Sequence, residues 1–142
     1  MTECILAADI GTTSLKVGLI SMKGDLVSLA TARNLQKDAR FCGSNWLQTL
    51  RFAFNKLKNK SECNIIGMCV SGNGPTVVTE NGLTIRWDEE TPIPEDFAEK
   101  DNPLIKFSLF LPKILHLKNN FPNEFEKSKY IFSGPEYVLY QL

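Results

Sequence analysis

The chain carries one histidine, no excess of either charge and no long apolar run. Each shortage closes off a class of function. Sixteen Lys plus Arg against sixteen Asp plus Glu leave no net charge, and so none of the basic excess that neutralises a nucleic-acid backbone. No apolar stretch approaches the ~18–20 residues needed to cross a bilayer. The N-terminus has no basic segment leading into an apolar one. Glu3 and Asp9 flank the first apolar run instead, so a cytoplasmic protein is expected. No two of Cys4, Cys42, Cys63 and Cys69 have C-x-x-C spacing, which predicts packed, reduced thiols rather than a zinc or redox centre. The lone His116 sits between Leu115 and Leu117 with no Cys, Asp or Glu at ligand spacing, and reads as a packing or surface residue. G-x-x-x-x-G-K-[ST] is absent, so any phosphate site must be of another kind. No internal repeat or low-complexity tract is present.

What is present describes one α/β domain. At 142 residues with 43% hydrophobic side chains, the chain can bury roughly 68–70% of its unfolded surface. Cys4–Ala8 is a short continuous apolar run, as in a strand covered on both faces. Leu15, Val17 and Leu19 alternate through a second strand, and Leu26–Ala30 makes a third. Tight turns at 9–14 and 22–25 join the three into an antiparallel meander. Trp46, Leu47, Leu50, Ala53, Phe54 and Leu57 recur at helical spacing, with Asn45 and Gln48 placed as a capping box. Ile65–Val70 reads as another buried strand. Asn81-Gly82 between Thr76–Thr79 and Leu83–Trp87 is a strong hairpin signal. Asp88–Pro103 is acidic and proline-rich, an exposed loop. A helix starts near Pro112 and stops before Pro122, Tyr130–Phe132 forms a strand, and Pro135 opens a last helix. Phe107, Phe110, Phe121 and Phe125 are expected to pack. Together these elements predict a mixed sheet with helices. The last helical pattern reaches Leu142 without a stop signal, which suggests an incomplete domain.

The segment richest in chemistry is Asp9-Ile10-Gly11-Thr12-Thr13-Ser14-Leu15-Lys16. Gly11 lets the backbone approach a ligand closely. Successive N–H groups and the hydroxyls of Thr12, Thr13 and Ser14 can donate to phosphate oxygens, and Lys16 adds positive charge. Asp9 at a strand end can hold Mg²⁺, which takes few carboxylates and keeps water and phosphate. Spacing alone leaves open a plain Gly-Thr hairpin whose Asp binds its own turn.

This segment resembles the first phosphate motif of the superfamily that holds sugar kinases, actin and heat-shock ATPases. Ser14, where a heat-shock ATPase usually has Asn, leans toward the sugar kinases. Leu111-Pro112-Lys113-Ile114-Leu115-His116-Leu117-Lys118-Asn119-Asn120-Phe121-Pro122 resembles the A-P-K-L-L-W-L-K-x-x-x-P stretch of FGGY carbohydrate kinases. Ser128–Leu142 resembles the strand and helix after it, Trp46-Leu47 a Trp-Trp helix start, and Val70-Ser71-Gly72 an Ile-Ser-Gly turn. The similarity runs through nearly the whole chain, in order. It implies a ribonuclease-H-like fold, with residues 1–142 as the N-terminal part of such a kinase. It implies phosphoryl transfer from MgATP to a sugar or polyol, with ATP and Mg²⁺ as cofactors. It places Mg²⁺ at Asp9 and the ATP phosphates at Gly11, Thr12, Thr13, Ser14 and Lys16. The general base is expected beyond Leu142, so no catalytic residue is assigned here.

On the acceptor side, Asn73, Thr76, Trp87 and Asp88 are the expected contacts. Two departures stand out. Relatives acting on xylulose have Gln-Met-His-Gly where this chain has Asn73-Gly74-Pro75-Thr76, and the W-x-D-x-R pattern lacks its Arg after Asp88. A non-catalytic sugar- or nucleotide-binding remnant of the same fold is the alternative. A homo-oligomer is left open, and neither nucleic acid nor membrane is expected as a partner.

Overall fold

The computed structural model describes residues 1–34, 39–72 and 74–142. It opens with the expected meander: β1 (Thr2–Ile10), β2 (Ser14–Ser21) and β3 (Leu26–Arg33). β1 pairs antiparallel with β2, and β2 with β3. Leu15, Val17 and Leu19 are fully buried, as their alternation requires. The β2–β3 turn closes because Gly24 takes φ 90° and the Ser21 hydroxyl oxygen accepts from the backbone of Lys23 and Asp25. β4 (Cys63–Gly72) pairs parallel to β1, giving the sheet order β3-β2-β1-β4. The meander with a parallel fourth strand is the mixed sheet that the ribonuclease-H-like expectation calls for.

α1 (Cys42–Asn55) packs on β2 and β3, and α5 (Gly134–Tyr140) packs on β4. Trp46, Leu50 and Ala53 join the sheet residues, Tyr137 and Val138 in one buried cluster. Gly43 lets α1 and α5 touch, since a Cβ there would lie 2.6 Å from a Tyr137 ring carbon. This contact explains a correction. The helix starts at Cys42, three residues before the expected Asn45 cap. Asn45 lies inside it, its carbonyl accepting from the Thr49 hydroxyl at 2.8 Å. Starting early brings Cys42 and Gly43 onto the buried face that Trp46 continues. α5 has the capping box instead: the Ser133 side chain accepts from the third helical N–H, and Glu136 accepts from the Ser133 N–H at 3.0 Å. That bond holds the Glu136 carboxyl below its ordinary range.

The remaining strands form a second, three-stranded sheet. β5 (Val77–Thr79) pairs antiparallel with β6 (Thr84–Ile85) and with β7 (Ile131–Ser133). The Asn81-Gly82 hairpin is present, Gly82 at φ 85° with its N–H on the Thr79 carbonyl at 2.9 Å. Three short helices complete the chain: α2 (Pro103–Lys106), α3 (Leu111–Asn120) and α4 (Pro122–Lys127). α3 packs Leu117 and Ile114 against Val77, Leu83 and Ile85, with Phe121 and Phe125 closing the cluster.

Three further expectations need correction. β4 is not a buried strand: it ends the sheet order, with a neighbour on one side only, and exposes Ile65, Ile66 and Cys69. The cysteines are not all packed: Cys4, Cys42 and Cys63 are buried but Cys69 is exposed, and no disulfide joins any of the four. Phe107 and Phe110 are exposed, because neither belongs to either buried cluster among the described residues.

Candidate functional site

The chemistry gathers where β1 and β4 end side by side. Asp9 is paired across the sheet with Lys16 on one flank and Ser71 on the other. Its carboxylate lies 3.8 Å from the Lys16 ammonium, both groups more than half exposed. An ion pair this exposed contributes little to stability, which leaves both charges available to a ligand. Residues 11–13 then turn the chain into β2. Gly11 donates its N–H to the Ser14 carbonyl at 3.0 Å, and a Cβ on Gly11 would lie 2.5 Å from that same oxygen. Only glycine fits this turn. Thr12 and Thr13 are exposed, and Ser14 is half-buried at the start of β2.

Asn34, just after β3, grips this loop. Its side-chain amide donates to the carbonyls of Gly11 (2.8 Å) and Thr12 (3.2 Å), and its backbone N–H donates to that of Thr13 (3.0 Å).

The expected acceptor side meets the loop directly. The Trp87 indole N–H donates to the Thr12 hydroxyl oxygen at 3.2 Å. Trp87 also lies against Gly74, where a Cβ would be 3.7 Å from that of Trp87. Asp88 is exposed and held fork-on-fork by Arg86, with Nε to Oδ1 at 2.9 Å and Nη2 on Oδ2. That hydrogen bond, then the guanidinium charge, holds the Asp88 carboxyl below the usual carboxylate range. Thr76 is 2% exposed, with its N–H on the Gly74 carbonyl at 2.8 Å, so its side chain packs inside the turn. Asn73 lies outside the described residues. Of the expected site residues, Asp9, Gly11, Thr12, Thr13, Ser14, Lys16, Trp87 and Asp88 are brought to one end of the fold.

Two arginines stand beside Asp88 and Glu89. Arg86 reaches Asp88 from the preceding side, and Arg40, in a 3-10 turn (Ala39–Phe41), pairs with Glu89. With Thr84, these four charged groups line a cavity of about 270 Å³. Beneath them lies Lys113, 4% exposed, whose ammonium donates to the carbonyls of Arg86 (2.7 Å) and Glu89 (2.9 Å). Burial pushes its pKa down, against the pull of Glu89 and Asp88. The turn that presents Trp87 and Asp88 is thus clamped at both ends from α3. Lys113 stands four residues before the buried Leu117, and that spacing was the available signal for an inward-facing charge. No signal pointed to Asn34.

No family model matches the chain. Solved structures do. A xyloylose kinase from Brucella ovis superposes on 96% of this chain with a TM-score of 0.75 at 20% identity, using 33% of its own length. A xylulose kinase from Bifidobacterium adolescentis covers 99% at TM-score 0.74 and 16% identity, over 34% of its length. A glycerol kinase from Plasmodium falciparum, solved with ADP, covers 99% at TM-score 0.68 and 18% identity, again over 34% of its length. The chain spans about a third of the length of these proteins. Across almost all its residues, the chain therefore has the fold found in about one third of a carbohydrate kinase of the FGGY type.

Proposed function

We propose that this chain supplies the phosphate loop and part of the acceptor side of an ATP-dependent carbohydrate kinase. The reaction is transfer of the γ-phosphoryl group of MgATP to a hydroxyl of a sugar or polyol. The observation that carries this reading is the Trp87–Thr12 hydrogen bond, which joins the loop suited to phosphate to the turn suited to hydroxyls.

The donor set fits a magnesium nucleotide. Asp9 is a single exposed carboxylate, and no group of three or more His, Cys, Asp or Glu side chains able to hold a metal occurs among the described residues. One carboxylate completed by water and phosphate oxygens suits Mg²⁺. When bound, Mg²⁺ neutralises charge on the phosphates; positioning is left to the protein. Gly11 keeps the loop backbone close to a ligand, and the hydroxyls of Thr12, Thr13 and Ser14 donate to phosphate oxygens. Lys16 offsets their charge. Trp87 gives the acceptor a flat face. The Asp88 carboxylate, with lone pairs beyond those Arg86 uses, accepts from neighbouring hydroxyls. Thr76 shapes the turn from within, and Asn73 adjoins it in sequence. The base that takes the hydroxyl proton is assigned to no residue of this chain, so residues 1–142 alone are expected to be inactive. A reducing, cytoplasmic setting is part of this proposal and suits four cysteines that form no disulfide.

The test is coupled ADP release by the protein that carries this chain in full, with MgATP and a panel of pentoses, ketoses and polyols. A sugar-dependent signal lost in Asp9→Ala, with the variant still folded, is expected. Silence across the panel from folded protein would overturn the kinase reading in favour of a binding remnant of the same fold.

A further inference from the structure

We propose that Asn34 is a positioning residue for the phosphate loop: by capturing the carbonyls of Gly11, Thr12 and Thr13 it turns the loop N–H groups toward a bound phosphate. The inference rests on the kinase reading above and extends it to a residue that no motif singles out.

Three successive carbonyls converge on Asn34, at 2.8, 3.2 and 3.0 Å. The described residues contain no cis peptide, and in a trans peptide unit the C=O and the following N–H point in opposite directions. Holding the Gly11 and Thr12 carbonyls on one side therefore sets the N–H groups of Thr12 and Thr13 on the other. A phosphate needs that arrangement, with donors facing it and carbonyl oxygens turned away. Without such a clamp, an exposed loop containing glycine would sample conformations that put oxygens toward the anion, and ordering it would weaken binding.

The side chain is used for its donors alone. Asn34 Oδ1 is the one buried side-chain nitrogen or oxygen without a hydrogen-bond partner among the described residues. Leaving a buried acceptor unpaired is unfavourable. Turning the amide round would face that oxygen toward two carbonyls, which is worse still. An isosteric carboxylate at this position offers no N–H and would repel the carbonyls it faces, so Asn34→Asp separates donor chemistry from shape.

The test uses the ¹⁵N-labelled chain. Backbone order of Thr12 and Thr13 is measured by relaxation, and MgADP is titrated in the millimolar range while their amide resonances are followed. In the unaltered chain the loop is ordered at every pH used, and MgADP shifts both amides. In Asn34→Asp at pH 7 the loop loses order and MgADP binds at least about tenfold more weakly. Lowering the pH until the new carboxyl is protonated restores a donor, and the loop regains order. A role in fold stability alone would lower the unfolding midpoint of Asn34→Asp and leave the MgADP affinity of the folded chain unchanged. If the unaltered chain binds MgADP at these amides and Asn34→Asp binds it equally well, the inference is overturned while the kinase reading stands. If the unaltered chain shows no MgADP response at these residues, the phosphate-positioning role is overturned, while the kinase reading is decided separately by ADP release from the protein that carries this chain in full.

Discussion

Two short loops meet at the Trp87–Thr12 hydrogen bond, and both are held by a side chain that captures backbone carbonyls. The phosphate loop is gripped by a neutral amide, that of Asn34, near the surface. The turn carrying Trp87 and Asp88 is gripped by the ammonium of Lys113, almost fully buried and ringed by two arginine–carboxylate pairs. On the kinase reading proposed above, the difference fits what each loop would meet. A loop that receives phosphate gains nothing from a carboxylate-balanced cation beneath it. Its few charges, Asp9 and Lys16, stand at the rim, exposed. A turn that meets hydroxyls can carry paired charges, because each Arg cancels its carboxylate and leaves lone pairs to accept from a polyol.

Removing the cation is the strongest way to break this comparison. Lys113→Ala deletes a buried stem and strips the Arg86 and Glu89 carbonyls of their donor, and should destabilise the fold by about 2–4 kcal/mol in urea unfolding. The Asp88 environment should change while the amides of Thr12 and Thr13 move less. A loss below ~1 kcal/mol would mean that water replaces the ammonium freely. Gly11→Ala attacks the other loop. Its Cβ must displace the Ser14 carbonyl from 2.5 Å, and this steric overlap should cost about 1–3 kcal/mol. Phosphate binding should fall with it, leaving the 86–89 turn intact. Wild-type stability with wild-type nucleotide binding would show that the turn relaxes without consequence.

Acid has the smallest effect and sharpens the contrast. The folded Asp88 carboxyl lies below the ordinary 3.8 because Arg86 binds its charged form. A carboxyl so depressed contributes stability that is present above pH ~3.8 and is lost as pH falls through its folded pKa. The pair is largely exposed, so the change should stay within about 0.5 kcal/mol. Carboxyl NMR titration should find Asp88 below its usual range, and Arg86→Gln should move it upward. An unmoved Asp88 in that variant would place the cause elsewhere.

Much of the fold was legible. Period-two alternation located β2, Asn81-Gly82 located the hairpin, and prolines at 112, 122 and 135 bracketed α3 and opened α5. The three strands of the second sheet were legible one by one, but their grouping apart from the first sheet was not, since it rests on the pairing of β5 with β7 more than fifty residues away in sequence. At the site, the Asp9–Lys16 segment announced itself because its chemistry is local. Its clamps did not. Asn34 lies 21–23 residues from the carbonyls it holds, Lys113 lies 24 and 27 from its partners, and Arg40 lies 49 from Glu89. An asparagine after a strand reads only as a turn residue, and a lysine on a helix as a solvated charge. Apart from the Lys113–Leu117 spacing, the linear sequence carries no pattern that marks this non-local capture of backbone carbonyls.

The claim that these loops form the two sides of one transfer site is tested most directly by steady-state ADP release from the Asp88→Ala protein, with MgATP and the acceptor varied independently. The proposal puts Asp88 on the acceptor side, so the apparent KM for the sugar or polyol should rise well above that of the unaltered protein while the KM for MgATP changes little. Equal effects on both substrates would remove Asp88 from the acceptor side and contradict the two-sided site.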